Sequence, residues 1–338
     1  MEVYFKGVLL LRILFLTDTH IRGTTPRNRK DNLQETLEKK LIEVGKMVKD
    51  YNIDYVLHGG DLFDRPDVSI SVVSNFATIL KNYNVPIYIV SGNHDVYGHN
   101  PDTVSRTILG LLDALNVVKL IKENETIYLS KEGIKVQLTG LPYTYDIDNE
   151  GNKTGYIVDN ISKDVDYSIH MVHGMLLDKP FIKGVQYTLI DEILHTKADI
   201  TLAGHYHTGF GVINIENKYF VNPGSLVRIT NSLKEIERYP KVAIIELGEG
   251  IDINLKTLKT ALKGEKILDR EEIENHIFKS ERLYSFKQSI DETINLDKLE
   301  INEILMEVSN TEGLSEEVKV EALRRISNAQ MKYTGDEL

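Results

Sequence analysis

Histidine, aspartate and asparagine residues gather at five points of this sequence, each directly after an apolar run that predicts a buried strand. The five groups are Asp18 with His20, Asp61 with Asp64, Asn93 with His94 and Asp95, His173 alone, and His205 with His207. A single group could serve only the local backbone, because Asp and Asn side chains often hydrogen bond to nearby peptide groups. Open α/β sheets, however, bind their ligands at the carboxyl ends of strands. We therefore expect the five groups to converge on one site.

The mixture of imidazole and carboxylate side chains in these groups indicates the kind of ion they could hold. Sites made only of oxygen suit magnesium or calcium, whereas mixed nitrogen and oxygen sites suit zinc, manganese or iron. The number of side chains exceeds what one ion needs. Two ions about 3.5–4 Å apart, sharing a bridging carboxylate, would use the whole set. Such a pair activates water and aligns an in-line displacement at phosphorus.

The elements that must position these groups alternate along the first part of the chain. Apolar runs predict strands over residues 9–17, 53–57, 86–90, 135–141, 167–172, 199–203, 212–215, 219–221, 242–247 and 251–258. Helical spacing predicts helices over residues 33–48, 72–83, 102–115 and 188–195. Glycine adjoins four of the five polar groups, which allows a sharp turn where a strand stops. This alternation favours an α/β fold.

The last part of the chain differs in composition, since it is highly charged and its apolar residues recur at helical spacing. We predict a first domain over residues 1–260 and a helical C-terminal region over residues 261–338. Two apolar faces are predicted in that region, formed by Ile301, Ile304, Leu305 and Val308 and by Val318, Ala322 and Ile326. These faces pack on the chain itself, or one of them docks on a partner as an amphipathic helix.

Composition narrows the class of protein further. The chain has no cysteine, so disulfides and thiolate ligands are excluded and any metal must be held by His, Asp, Asn or Glu. Its net charge is −11, whereas free-standing nucleic-acid-binding proteins are usually basic. The apolar run over residues 8–16 is too short to span a bilayer and contains Arg12, so we interpret it as a strand and expect a cytoplasmic protein.

A basic loop follows the first group and contains Arg22, Arg27, Arg29 and Lys30. It is either a solvated loop or a contact for substrate phosphates beside Asp18. Histidines outside the five groups have simpler interpretations: His58 and His170 lie inside strands and are expected to be core residues. His99 is either an ordinary loop residue or a substrate contact.

Taken together, the five groups resemble a known family. The motifs Asp18-x-His20, Gly60-Asp61-x-x-Asp64, Gly92-Asn93-His94-Asp95, His173-Gly174 and Gly204-His205-x-His207 are similar, in order, to those of the calcineurin-like metallophosphoesterases. Within that superfamily, the run from Gly59 to Asp64, the helical tail and the overall size resemble the SbcD-type DNA repair exonuclease subunit, including the recombination nuclease subunits of phages.

The resemblance implies a four-layer sandwich, in which two mixed sheets pack face to face with helices outside. It also implies a role for each residue of the site. Asp18, His20 and His207 would hold one divalent metal, Asn93, His173 and His205 would hold a second, and Asp61 would bridge them. His94 would act on the scissile phosphate as a general acid or charge stabiliser, with Asp95 orienting its ring, while Asp64 would support the ligands without binding metal. Arg22, Arg27 and Arg29 would contact substrate.

The function implied by the resemblance is a metal-dependent DNA nuclease with 3′ to 5′ exonuclease and single-strand endonuclease activity. Manganese is the expected metal, with magnesium as the alternative. The implied partner is an SbcC-type coiled-coil ATPase bound through the C-terminal helices, in a complex with two copies of each chain. Two alternatives stay open: a related phosphatase acting on nucleotides or phosphoproteins, and a non-catalytic scaffold, although the latter would be expected to have lost ligands.

Overall fold

The computed structural model describes residues 10–182, 184–230 and 232–269, together with residues 318, 320–322 and 324–325. The chain divides into two compact units, Met1–Asp269 and Arg270–Leu338. The few residues described in the second unit are helical. The apolar face predicted at Ile301–Val308 therefore lies outside the described residues, as does Ile326 of the second face.

The described part of the first unit is built from short strands and helices. The strands are β1 Leu11–Leu16, β2 Tyr55–His58, β3 Ile87–Ile89, β4 Lys119–Leu120, β5 Thr126–Lys131, β6 Ile134–Leu141, β7 Tyr167–Val172, β8 Leu176–Leu177, β9 Thr188–Leu189, β10 Ile200–Ala203, β11 Gly211–Ile215, β12 Lys218–Asn222, β13 Lys241–Leu247 and β14 Ile251–Thr257. The α-helices are α1 Leu33–Asp50, α2 Ile70–Lys81, α3 Ile108–Ala114, α4 Leu233–Glu237 and α5 Gly264–Ile267.

Two six-stranded mixed sheets form the framework. The first has the strand order β14-β13-β1-β2-β3-β4, with β1 to β4 parallel and the β13-β14 edge antiparallel. The second has the order β11-β12-β10-β7-β6-β5, with a parallel centre and antiparallel outer strands. This architecture confirms the predicted α/β class with two mixed sheets.

Alternation along β1 shows how the layers pack. Ile13 and Phe15 point between the two sheets and contact residues of the second sheet such as Leu202, whereas Leu14 and Leu16 face the opposite side and pack with α1 and α2. Successive side chains of a strand lie on opposite faces, so one strand serves two cores. The outer face of the second sheet is covered by a separate apolar cluster that includes Tyr156, Ile190 and Ile193.

The structure differs from the sequence prediction in two connecting segments. Residues 188–195, predicted as a helix, form β9 and a short 3-10 turn over Ile190–Ile193. Residues 102–115, predicted as one helix, form a 3-10 turn over Pro101–Arg106 followed by α3. The first segment is too short for periodicity to distinguish a helix from a strand. In the second, Thr107 has an extended backbone and caps α3 by accepting a hydrogen bond from the Gly110 amide, which separates the helix from the 3-10 turn. No helix within the described ranges is long and apolar enough to span a bilayer.

The strand registers bring the predicted polar groups to one edge of the sandwich. Leu16 pairs with His58, and His58 pairs with Ile89, so β1, β2 and β3 end level with one another. In the second sheet Val172 pairs with Ala203, so β7 and β10 also end together. The loops that follow these five strand ends carry the candidate site.

Candidate metal centre

The loops after β1 and β2 are held together by backbone hydrogen bonds. The amide of Asp18 donates to the carbonyl of Gly60 at 3.1 Å, and the amide of His20 donates to the carbonyl of Asp61 at 3.0 Å. Asp18, His20 and Asp61 have φ angles of 51°, 42° and 52°. Left-handed backbone is unfavourable for residues other than glycine and is concentrated at functional sites. Here it turns three polar side chains into the same buried space.

The first group of potential ligands consists of Asp18, His20, Asp61 and His207, whose candidate ligand atoms lie within 4.8 Å of one another. The Nε2 atoms of His20 and His207 are 3.0 Å apart. His207 Nε2 lies 3.4 Å from Asp18 Oδ1, and His20 Nε2 lies 3.6 Å from Asp61 Oδ2. The arrangement brings together the three residues predicted to hold one metal and the predicted bridging carboxylate.

A second group adjoins the first and consists of Asp61, His173 and His205. His173 Nε2 lies 3.4 Å from Asp61 Oδ2 and 3.1 Å from the amide oxygen of Asn93. Its other ring nitrogen, Nδ1, is 2.7 Å from the carbonyl of Gly59, which can only accept a hydrogen bond. Nδ1 therefore carries a hydrogen, and Nε2 is the ring atom that would bind a metal ion after losing its own proton, as in metal-binding histidines.

Asp61 belongs to both groups, and its two carboxylate oxygens have different surroundings. Oδ1 accepts a hydrogen bond from the His94 amide at 2.9 Å, whereas Oδ2 is buried without any hydrogen-bond partner. A buried carboxylate oxygen with no partner is costly, and a cation would compensate it. His20 Nδ1 is likewise buried and unpartnered. The donor set, with imidazoles, carboxylates and one amide oxygen, fits divalent ions such as manganese, zinc or iron.

Burial and charge act in opposite directions on these groups. Burial would raise the pKa of Asp18, but hydrogen bonds from His20 and His207 outweigh it and hold the pKa well below its usual range. Burial would lower the pKa of His173, yet the negative charge of the neighbouring Asp61 raises it to about 9. Burial and the charge of His173 lower the pKa of His205 to about 4. The carboxylates of Asp18 and Asp61 therefore both stay ionised, which suits them to bind a cation.

His94 lies at the edge of the first group, with its ring centroid 4.8 Å from that of His20. The structure corrects the predicted orienting contact from Asp95. His94 Nδ1 is 2.8 Å from the backbone carbonyl of Asp64, while the Asp95 carboxylate accepts hydrogen bonds from the amides of Leu62, Phe63 and Gly92. Asp95 therefore fixes the loops that carry the ligands and does not touch the His94 ring.

Asp64 and Arg22 form an ion pair beside the first group. Arg22 NH1 lies 3.0 Å from Asp64 Oδ2, and Asp64 Oδ1 lies 3.9 Å from His20 Nδ1. Asp64 thus lies next to Nδ1 of the candidate ligand His20, on the side of the His20 ring that faces away from Asp18. The Arg22 side chain is partly exposed next to the site, which keeps it available to a substrate phosphate.

The other two arginines of the basic loop lie elsewhere. The Arg29 side chain is fully buried, donates two hydrogen bonds to Asp31 and donates a third to the carbonyl of Arg228, so the predicted substrate contact is wrong for this residue. A guanidinium with its donors occupied inside the protein cannot reach a phosphate. Arg27 is exposed, and its predicted substrate contact stays a prediction.

Histidines inside strands are core residues, as predicted. His58 accepts a hydrogen bond from the Gly60 amide, and His170 lies 2.9 Å from the carbonyl of Gly155 and from the Thr139 hydroxyl.

Two residues that support the site were not predicted from the sequence. Ser225 donates from its hydroxyl to the Asp18 carbonyl, and the ring of Tyr143 lies against His173 and His205. For Ser225, the only signal in the sequence is the Asn-Pro-Gly-Ser run that ends at this residue.

Comparison with known proteins places this geometry in a family. The sequence pattern of the family described as calcineurin-like phosphoesterase matches residues 11–209, which is more than half of the chain. The chain belongs to the calcineurin-like phosphoesterase family. With the ligand groups above, it is a metal-dependent phosphoesterase, and the resemblance inferred from the five motifs is confirmed.

The chain is also similar to proteins named DNA double-strand break repair protein Mre11. That of Methanosarcina mazei is 24% identical over 255 residues, covering 74% of this chain and 38% of the relative. That of Methanosarcina acetivorans is 24% identical over 258 residues, covering 74% of this chain and 39% of the relative. The chain thus spans less than two fifths of the length of these relatives.

Solved structures of phosphoesterases are similar at lower identity. Calcineurin-like phosphoesterase YfkN from Bacillus subtilis has a TM-score of 0.45 at 13% identity, over 77% of this chain and 95% of that structure. A dimetal phosphatase from Danio rerio has a TM-score of 0.46 at 12% identity, over 74% of this chain and all of that structure.

Proposed function

We propose that this phosphoesterase is a DNA nuclease that hydrolyses phosphodiesters with two divalent metal ions. The observation that carries the proposal is the shared carboxylate of Asp61, whose unpartnered Oδ2 lies between two groups of ligands. Similarity to Mre11 proteins over 74% of the chain supports DNA as the substrate. In this proposal Asp18, His20 and His207 hold one ion, Asn93, His173 and His205 hold the other, and Asp61 binds both.

The two ions would supply an activated water and positive charge at the phosphorus. Manganese is the proposed metal; the mixture of nitrogen and oxygen ligands is compatible with it, as it is with zinc or iron. His94 is proposed to act on the leaving oxygen. Its Nδ1 is committed to the Asp64 carbonyl, so Nε2 is the atom available to donate a proton or to stabilise negative charge. Digestion from 3′ ends and cleavage within single strands are the proposed activities.

The proposed partner is an SbcC-type ATPase. The chain carries a net charge of −11, so its own electrostatic attraction for DNA is weak, and a partner that grips the duplex would supply it. We propose that the apolar face predicted from the sequence at Ile301, Ile304, Leu305 and Val308 binds this partner. The full-length chain with Ile304→Glu and Leu305→Glu should lose the ATPase in pull-down but keep manganese-dependent cleavage of short single strands. Unchanged recovery of the ATPase would contradict this docking site.

The central experiment measures hydrolysis and metal content together. The purified chain with manganese should cleave labelled single-stranded DNA much faster than it hydrolyses a phosphomonoester such as p-nitrophenyl phosphate. Asp61→Asn should abolish hydrolysis and reduce bound manganese at both sites. Asp67→Asn is the matched control, because Asp67 lies six residues away, pairs with Arg65 at the surface and should leave both quantities unchanged. Preference for the phosphomonoester would instead favour a phosphatase.

A further inference from the structure

An aromatic edge borders the second ligand group. Tyr143 follows the end of β6, and its ring centroid lies 6.4 Å from those of both His173 and His205. The ring of His99 also lies next to Tyr143 in a T-shaped arrangement, with the centroids 5.9 Å apart and the planes at 68°. The pair Tyr143–His99, called here the aromatic edge, therefore reaches from the proposed metal ligands out to solvent.

The backbone holds both members of the aromatic edge in place. The Tyr143 amide donates to the carbonyl of Ser91 at 2.8 Å, which ties the residue to the loop that carries Asn93 and His94. The His99 loop is closed by a hydrogen bond from the Asn100 amide to the Tyr97 carbonyl at 3.0 Å. The Tyr143 backbone is therefore tied directly to the loop that carries two residues of the site.

His99 has an unfavourable backbone conformation although it is exposed. Its φ angle is 59°, and the preceding Gly98 has a φ of 57°. A left-handed conformation in a residue other than glycine costs stability and persists where the surrounding structure imposes it, often at functional sites. His99 is exposed and lies against the ring of Tyr143. Two more exposed aromatic residues, Tyr97 and Tyr145, lie two positions from the pair in sequence, with exposures of 42% and 82%.

We infer that the aromatic edge stacks against a nucleobase next to the scissile phosphate, and thereby selects unpaired nucleic acid over phosphomonoesters. This inference rests on the proposed nuclease function. Stacking on an aromatic side chain is available to any base once it is out of a duplex, and it requires no positive charge. It suits an acidic chain, in which phosphate contacts alone would contribute little attraction. Tyr143 would be a substrate-binding residue and would take no part in the proton transfers.

The test removes the ring from the protein and the base from the substrate. Full-length wild type, Tyr143→Ala and Tyr143→Phe are assayed with manganese on a single-stranded oligonucleotide, and on the same strand with abasic residues flanking the cleaved bond. Tyr143→Ala should lower kcat/KM on the normal strand by about fivefold to a hundredfold, the range expected for one stacked base. On the abasic strand it should cleave as well as wild type. Tyr143→Phe keeps the ring and should match wild type on both.

His99→Ala provides a second variant, because an exposed side chain can be removed without disturbing the core. It should show a smaller loss with the same dependence on the base. Equal losses on normal and abasic strands, or weaker manganese binding by Tyr143→Ala measured from the electron paramagnetic resonance signal of free ion, would overturn the stacking inference while leaving the nuclease in place. A wild-type chain that cleaves neither strand would overturn the proposed function and this inference with it.

Discussion

At the scale of single residues, the arrangement of His94 separates its proposed role from that of a metal ligand. Its Nδ1 is bonded to the carbonyl of Asp64, and its backbone amide is bonded to Asp61. The ring is thus oriented by the loop after β2, while the neighbouring Asn93 points toward His173. This leaves the Nε2 atom of His94 free for a reacting group, in line with the proposal that other side chains hold the metal.

His94→Gln tests this separation. The variant should retain manganese but lose roughly a hundredfold or more in the rate of DNA cleavage, which is the usual contribution of a positioned acid or base. The loss should shrink on a phosphodiester with a better leaving group, such as a nitrophenyl ester, because that group needs less help from an acid. Rate and bound metal are measured on the same preparation. Loss of metal from the variant would show that His94 is a ligand.

Sequence could predict which side chains gather at the candidate site because each is adjacent to the end of a strand, and strand ends of one sheet meet at one edge. It could not predict the contacts of Asp95 or Arg29, since these depend on where a distant backbone segment passes. Asp95 meets the loop at Leu62 and Phe63, about thirty residues away, and Arg29 meets the carbonyl of Arg228 across the fold. Long side chains and loop carboxylates take their partners from tertiary structure.

At the scale of elements, the segment after β12 is held by buried cations. Lys40 of α1 donates to the carbonyl of Leu226, Arg29 to that of Arg228, and Arg238 to that of Ser225. Ser225 in turn bonds to the Asp18 carbonyl. Three basic side chains therefore support the backbone segment that Ser225 links to the candidate ligand Asp18. Their role is to position the loop.

Arg29→Ala should destabilise the protein by about 3 kcal/mol, because breaking a buried ion pair leaves an uncompensated charge, here that of Asp31. The affinity for DNA should be unchanged in the folded fraction. Arg27→Ala is the matched control from the same loop; its side chain is exposed, so the free energy of unfolding should change by less than about 0.5 kcal/mol. Denaturant titrations measure both. A large rise in KM with unchanged stability for Arg29→Ala would restore its predicted substrate contact.

His170 in β7 makes the second sheet sensitive to acid. Burial lowers its pKa, although the hydrogen bond to the Gly155 carbonyl opposes that shift. The unfolded chain therefore binds a proton near pH 6.5 that the folded chain does not accept until lower pH. Stability should fall as the pH drops below about 6.5, following the linkage between proton binding and unfolding.

The measurement is the free energy of unfolding between pH 5 and pH 8 for wild type and for His170→Gln. The variant should show a shallower decrease on acidification. His195→Gln is the control, because His195 is exposed and its replacement should leave the curve unchanged. An identical slope in wild type and His170→Gln would show that other groups cause the acid sensitivity.

At the scale of the whole molecule, the candidate metal centre joins the two sheets. Asp18, His20, Asp61 and Asn93 follow strands of the first sheet, whereas His173, His205 and His207 follow strands of the second. Each group of candidate ligands contains residues that follow strands of both sheets. Metal bound there would link the sheets at one end of the sandwich, in addition to the apolar core between them.

Metal removal should therefore lower thermal stability. At free manganese a hundredfold above the dissociation constant, one bound ion contributes about 2.7 kcal/mol, which corresponds to about 5–10 °C in Tm for a domain of this size. Scanning calorimetry with and without a chelator measures the shift. In Asp61→Asn the shift should be much smaller. A Tm that does not respond to manganese in the wild-type chain would contradict binding at this site.

The division of ligands between the sheets also has a consequence during synthesis of the chain. Asp18 to Asn93 leave the ribosome well before His173, and a nascent chain that ends between them holds only half of the donors. Neither ion site can be completed until both sheets have formed and met. If the proposed nuclease function holds, the ability to cut DNA would thus arise only with the finished fold, and truncated or half-folded copies would be inactive.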